Sequence, residues 1–217
     1  MKNFRILLFL LVAILFASSC KKEELKDYYS ALGTIGITND STIITSDNGY
    51  RLLVVNSNLG STIKDKDRLI AEFTLVNQTV PKGIDYIIEI ASFHVVLFKP
   101  VIILTSANAD SIGDNELSIN SIWVVKNYLN LNFDFYGSGQ TKHYINLIRH
   151  DGTIPTDTVD LEIRHNQKND NEMYNYTGFV SFDLTSLKNT AADSVILRIK
   201  SKEYSNRTFE KCFTYKY

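Results

Sequence analysis

The chain has 217 residues, 44% of them hydrophobic and 22% charged, with a formal net charge of −1. That make-up suits a globular protein of one large or two small domains. There is no excess of Lys and Arg to neutralise a phosphate backbone, which excludes nucleic acid as a partner, and the only two cysteines, Cys20 and Cys212, exclude a disulfide framework.

The first residues carry an address. Lys2 and Arg5 precede an unbroken apolar run from Ile6 to Phe16, and Ala17-Ser18-Ser19 lead into Cys20. The run is far shorter than the roughly 20 residues a membrane-spanning helix needs. A basic start and a small-residue end mark residues 1–19 as an export signal. The small residues before Cys20 form a relaxed bacterial lipobox, with Ala17 where Leu is usual. Cys20 is therefore the expected lipid attachment site, and residues 20–29 are a lipidated tether. Each buried methylene of an acyl chain contributes about 0.8 kcal/mol, so two or three chains hold a protein on a membrane for good. Lys22-Glu23-Glu24 is similar to the Lys-acidic-acidic signal that sends lipoproteins of Bacteroidota-type bacteria to the cell surface. The expected location is the outer membrane, on the cell surface, with the periplasmic face as the alternative. Removal of residues 1–19 takes Lys2 and Arg5 with it and shifts the formal charge from −1 to −3.

Almost nothing in the mature chain has a helical pattern; Val, Ile, Thr, Tyr and Phe recur with period two. Thr34 to Thr45 is a strand region, broken as a hairpin at Asn39-Asp40-Ser41. Asp47-Asn48-Gly49 predicts a type I′ turn, which needs positive φ at both centres, and Tyr50 to Asn56 runs back from it. Arg68 to Asn77 is a further strand. Asp85 to Leu104 is strongly β-prone, with Pro100 marking an edge, bulge or break because proline cannot donate to a ladder. Five or so strands of this kind suit a small OB-like barrel over residues 30–106.

The small, polar stretch Ser106 to Asn115 marks the domain boundary, and residues 107–217 read as an antiparallel β-sandwich. In Tyr128 to Tyr136, Leu129, Leu131, Phe133 and Phe135 face one way and Asn130, Asn132 and Asp134 the other, the mark of a half-buried strand. Gly137-Ser138-Gly139 turns the chain and His143 to Arg149 returns. Val159, Leu161 and Ile163 alternate with Asp160, Glu162 and Arg164. Phe179 to Leu184 and Val195 to Lys200 follow, the latter near or against Phe209 to Tyr215. Trp123, amid Ile122 and Val124, is expected to anchor the core or the space between sheets. Cys212 is expected to be a small buried hydrophobe.

Signs of chemistry are sparse. His94, His143, His150 and His165 make no helical zinc spacing, and no Cys-x-x-Cys exists. His143 and His165 flank strands and could meet in space, but turn or sheet-edge roles are the simpler reading. There is no Gly-x-Ser-x-Gly elbow. Asp160 and Glu162 share one strand face without an apolar pocket to raise a pKa. Residues 166–172 lack the central Gly and acidic spacing of a calcium loop. The expectation is a protein that is not an enzyme and has no metal or other cofactor. Tyr28, Tyr29, Tyr174 and Tyr176 are the candidate ligand contacts, because exposed Tyr offers contact area at low entropic cost; half-buried strand packing is the alternative role for each.

Several short motifs stand in a definite order along the chain: Cys20 with its lipobox; Asp47 to Leu52 (Asp-Asn-Gly-Tyr-Arg-Leu); Asp67 to Ile70 (Asp-Arg-Leu-Ile); Ala109 to Asp114; Ser121 to Val124; Tyr128 to Phe133; His143 to Leu147; Leu161 to Asn166; and Gly178 to Leu184. In these the chain resembles the NigD-like lipoproteins of Bacteroidota-type bacteria over nearly its whole length. The resemblance implies an OB-like domain joined to a β-sandwich, and a name drawn from a bacteriocin gene cluster with a proposed immunity role; it carries over no catalytic residues. The expected function is non-catalytic binding at the envelope, of a protein or a glycan, with bacteriocin immunity (sequestering or blocking a toxin) as the alternative. An envelope hydrolase using His143, His165 and Glu162 is the third reading.

Overall fold

The structure is a computed structural model and describes residues 26–217, except 56–58, 60–62, 151–156 and 190. The export signal, Cys20 and Lys22-Glu23-Glu24 lie outside the described residues.

Five strands close a barrel: β1 (Tyr29–Ile37), β2 (Thr42–Ser46), β3 (Arg51–Val54), β4 (Arg68–Leu75) and β5 (Tyr86–Val95). Their order around the barrel is β1-β2-β3-β5-β4 and back to β1, with β3 and β5 parallel. This is the Greek-key order of an OB-fold. Alternate residues point inward, so Ile35, Ile44, Leu52, Leu69, Ala71, Phe73, Ile88 and Ile90 fill the interior.

Nine strands follow: β6 (Leu97–Pro100), β7 (Ile102–Ile103), β8 (Ser118–Val125), β9 (Tyr128–Gly137), β10 (Tyr144–Arg149), β11 (Thr158–Asn166), β12 (Tyr174–Asp183), β13 (Ser194–Glu203) and β14 (Arg207–Lys216). One helical turn, α1 (Ala109–Ile112), precedes β8. The strands make a sheet ordered β14-β13-β11-β10-β7 and a second ordered β6-β12-β9-β8. Their inner faces bury Leu129, Leu131, Phe133, Leu147, Leu161, Ile163, Val180, Phe182, Leu197 and Ile199 as one core. Three pairings, β6 with β12, β7 with β10 and β11 with β13, are parallel, so the sandwich is mixed where a wholly antiparallel one was expected.

The boundary lies earlier than expected. The barrel ends at Val95, and β6 and β7 already pair in the sandwich. The sequence hides this because apolar, β-prone residues continue through the change of sheet at buried Val96. Pro100 closes β6, an edge strand, where its missing N–H costs nothing. The Asp47-Asn48-Gly49 turn also differs. Only Gly49 has positive φ (96°), and its N–H donates to the Ser46 carbonyl (2.9 Å). A three-residue loop with a left-handed Gly replaces the type I′ pair.

Cys212 is exposed, contrary to the buried role expected. Strand alternation explains it: Phe213 and Tyr215 face the core, so Cys212 points the other way with Glu210 and Thr214. Asn130 departs in the opposite sense. It shares the outward face with Asn132 and Asp134, yet it is fully buried, because the barrel packs over that part of the sheet.

Candidate functional site

The junction of barrel and sandwich is held by one fully buried cation, Arg68 at the start of β4. A guanidinium has five N–H donors, and all five are used. Nε donates to Ser181 Oγ (3.2 Å), Nη1 to Asp47 Oδ1 (2.8 Å) and Thr34 Oγ1 (3.3 Å), and Nη2 to Asp47 Oδ2 (2.7 Å) and Asn130 Oδ1 (3.1 Å). Its face lies 3.8 Å above the centre of the Tyr128 ring. Asn130 in turn donates to Asp47 (3.2 Å) and accepts from Ser181 (2.6 Å). Thr34, Asp47 and Arg68 belong to the barrel; Tyr128, Asn130 and Ser181 belong to the sandwich. Lys126, in the β8–β9 turn, adds a bond from its ammonium to the Ser46 carbonyl (3.0 Å).

A cleft of about 550 Å³ opens beside this junction. The first half of β1, the β2–β3 turn and the ends of β4 and β5 form its barrel side, and Trp123 of β8 walls the sandwich side. Five aromatic rings line it. Tyr29 stacks near Phe73 (6.1 Å), Tyr50 meets Tyr86 edge to face (5.6 Å), and Trp123 backs onto Phe179 (5.8 Å). Tyr29, Tyr50 and Tyr86 are each 41–49% exposed. Among the described residues Asp47 is the one acidic or basic side chain in this lining, and Arg68 already neutralises it. Trp123 therefore departs from its expected core role. Ile122 takes the inward position, which leaves the indole on the outer face, half covered by the barrel.

A second buried polar cluster lies within the sandwich. His143 Nδ1 meets His165 Nε2 (3.0 Å), His143 Nε2 meets Asp170 Oδ2 (3.0 Å), and His165 Nδ1 meets the Glu116 carbonyl (2.9 Å). Both ends of this chain are acceptors, so three contacts need three protons, one more than two neutral imidazoles carry. Burial pushes the His165 pKa down, and its contact with the Glu116 carbonyl, an acceptor only, places the His165 hydrogen on Nδ1. Hydrogen bonds from the Ser138 hydroxyl (2.6 Å) and N–H (2.8 Å), then from His143, hold the Asp170 carboxyl well below the usual carboxylate range. Gly137 makes room: a Cβ there would lie 3.1 Å from both Asp170 and His143. Phe135 packs against both imidazoles, and Tyr176 stacks on Phe135.

The candidate residues divide accordingly. Tyr29 lines the cleft, and Tyr28, 63% exposed, precedes it in the chain. Tyr174 and Tyr176 do not join them: seven residues, about 23 Å of strand, separate Tyr174 from Ser181 at the junction. His143 and His165 do meet. Glu162 is not with them; it points to the other face of β11, where it contacts Arg164 and His150 (3.2 Å), and Asp160 pairs with Arg198. No group of three or more metal-ligating side chains suited to a metal ion occurs among the described residues. Sequence reading missed Tyr50, Tyr86, Arg68 and Asp170 as site residues. The motifs held the signal for two of them, because Arg68 and Tyr50 sit inside two of those segments.

The motifs named above converge. Asp47, Arg68, Tyr128, Asn130 and Ser181 come from four of them and build the junction. Residues 109–114, His143 and His165-Asn166 come from three more and surround the second cluster. There Asn166 donates to the Ser111 carbonyl (2.9 Å), and Arg164 pairs with Asp114 (2.8 Å).

Solved structures share this two-module arrangement. A protein of Parabacteroides distasonis described as toxin-related is 27% identical, with a TM-score of 0.73 over 88% of this chain and 94% of its own. A Bacteroides vulgatus protein of unknown function is 23% identical, with a TM-score of 0.72 over 88% and 91%. A NigD-like immunity protein of Bacteroides caccae is 18% identical, with a TM-score of 0.65 over 89% and 98%. No curated protein matches the chain. The NigD-like C-terminal beta sandwich domain matches residues 100–215, more than half of the chain, and with this match the chain belongs to the NigD-like family.

Proposed function

We propose that this chain is an envelope lipoprotein, anchored through Cys20 in the outer membrane and displayed on the cell surface, that binds a partner in the aromatic cleft without performing chemistry on it. The cleft carries this reading. It gathers five aromatic rings at a junction whose polar groups are already bonded to one another, the composition of a recognition surface. Neither ionisable cluster offers a free acid, base or nucleophile to the cleft: Asp47 is held by Arg68, and the histidine chain is enclosed beneath Phe135 and Tyr176.

Tyr29 stands nine residues after Cys20, so an anchor at Cys20 would hold the cleft within about 30 Å of extended chain from the membrane. A photo-crosslinking residue at Tyr86 in the lipidated chain on cells should give a discrete adduct that Trp123→Ala abolishes. Adducts no different from those of the same probe at Ile196, on the outer face of the far sheet, would contradict the cleft. Loss of acyl label and of membrane association in Cys20→Ala tests the anchor, and accessibility to external protease before and after changing Lys22-Glu23-Glu24 tests display.

The likeness to proteins described as toxin-related and as a NigD-like immunity protein favours a second reading, in which the partner is a bacteriocin blocked at the envelope. A deletion strain with unchanged toxin sensitivity would contradict it.

A further inference from the structure

We infer that the cleft takes an extended, uncharged peptide segment, added as a strand alongside the first half of β1; this rests on the cleft being the binding site. The reason is an open backbone edge. Strand β1 pairs with β4 over Tyr29 to Thr34, but with β2 only from Gly33 to Ile37. The barrel is therefore unzipped on one side of Tyr29 to Leu32, and those four residues line the cleft.

The direction of the free groups follows from the bonds around them. Ile35 exchanges bonds on the β4 side, donating to the Asp67 carbonyl (3.0 Å) and accepting from the Lys66 N–H (2.8 Å). Leu32 faces the other way, its carbonyl accepting from the Asp47 N–H (2.9 Å). Backbone groups alternate along a strand, so the Ser30 N–H and C=O and the Leu32 N–H point away from β4 into the cleft. They have no hydrogen-bond partner among the described residues. Strand β2 ends at Ser46, where the Asp47-Asn48-Gly49 loop turns the chain back into β3, so β2 does not continue along this edge.

An unpaired edge inside an aromatic cleft matches peptide recognition by strand addition: main-chain bonds supply affinity, and pockets for alternate side chains supply specificity. Tyr29 with Phe73, Tyr50 with Tyr86, and Trp123 are the surfaces for those side chains. Four residues of edge accept a segment of four or five. Because Arg68 cancels the charge of Asp47, no ionic partner is offered in the cleft, and the segment that fits is uncharged. A sugar would use the rings but has no need of the backbone edge, and that separates the two classes.

Ser30→Pro makes the test. Proline removes the outward N–H, which the barrel does not use, and holds Tyr29 to the extended conformation it already has in β1; Ser30→Ala controls for the side chain. A displayed heptapeptide library is selected on the soluble chain, and selected peptides are titrated against Trp123 emission, the chain's one tryptophan. The expected result is uncharged peptides that shift Trp123 emission, bind Ser30→Ala as they bind the native chain, and bind Ser30→Pro at least tenfold more weakly. Equal binding to Ser30→Pro, or selection of charged peptides only, overturns the inference. A panel of neutral hexasaccharides that shifts Trp123 when no peptide does overturns it in favour of a glycan and leaves the cleft as the site. If neither class moves Trp123, the cleft reading fails as well.

Discussion

Two polar clusters buried among the described residues are built on opposite principles. Around Arg68 a permanent charge meets a carboxylate and three neutral acceptors, every donor is used, and the partners come from both modules. Around His143 and His165 the charge is a movable proton, and every partner belongs to the sandwich. The first cluster can weld barrel to sandwich at any physiological pH. The second ties the sandwich's own loops, from Ser138 to Asp170, to groups whose pKa values the fold lowers, His165 and Asp170. In this fold the position of a buried polar group decides what it couples, and its titration decides when.

Arg68→Ala breaks this contrast most sharply. Removing one partner of a buried pair costs about 3–5 kcal/mol, to be read as a fall in urea midpoint. Gly113→Ala attacks the second cluster through its backing. Gly113 has φ of 75°, and a Cβ there would lie 2.5 Å from that of Asn166, next to His165. A strained backbone and a clash together predict a loss of about 2 kcal/mol, again in urea.

The pH dependence sharpens the comparison further. The His165 pKa is lowered in the fold, so its contribution is present above the unfolded value of about 6.5 and is lost as pH falls toward the folded value. The lowered pKa of Asp170 acts in the same sense further into acid. Urea stability should therefore fall below neutrality and fall less in His165→Leu, whereas Arg68→Ala lowers stability at neutral pH as well. Nitrogen chemical shifts check the His165 tautomer: its hydrogen should be on Nδ1, facing the Glu116 carbonyl. Lys126→Met is the smallest change, removing one partly exposed bond at the junction, about 1 kcal/mol.

Much of the fold was legible because period-two alternation is local. Leu129, Leu131 and Phe133 announce their face within one strand, and the core follows. The junction was not legible. Asn130 looks like a solvent-facing strand residue until a barrel formed by residues far away in sequence covers it. Arg68 looks like one more surface cation until Asp47 and Ser181 arrive from either side. Cys212 stands one step out of phase with the apolar positions of its strand, and Trp123 has apolar neighbours although its own phase points outward. The meeting of His143 and His165 was left open by the sequence; Asp170, in a polar loop, gave no local sign of completing the chain. The motifs were visible, but their convergence into two clusters exists only in three dimensions.

The central claim is that Arg68 holds barrel and sandwich together so that Trp123 walls a cleft. Acrylamide quenching of Trp123 in Arg68→Ala, under conditions where circular dichroism shows the strands intact, tests it most directly. A red-shifted emission and a clearly raised quenching constant relative to the native chain are predicted. Emission and quenching identical to the native chain would mean that the cleft stands without the buried cation, and would contradict the claim.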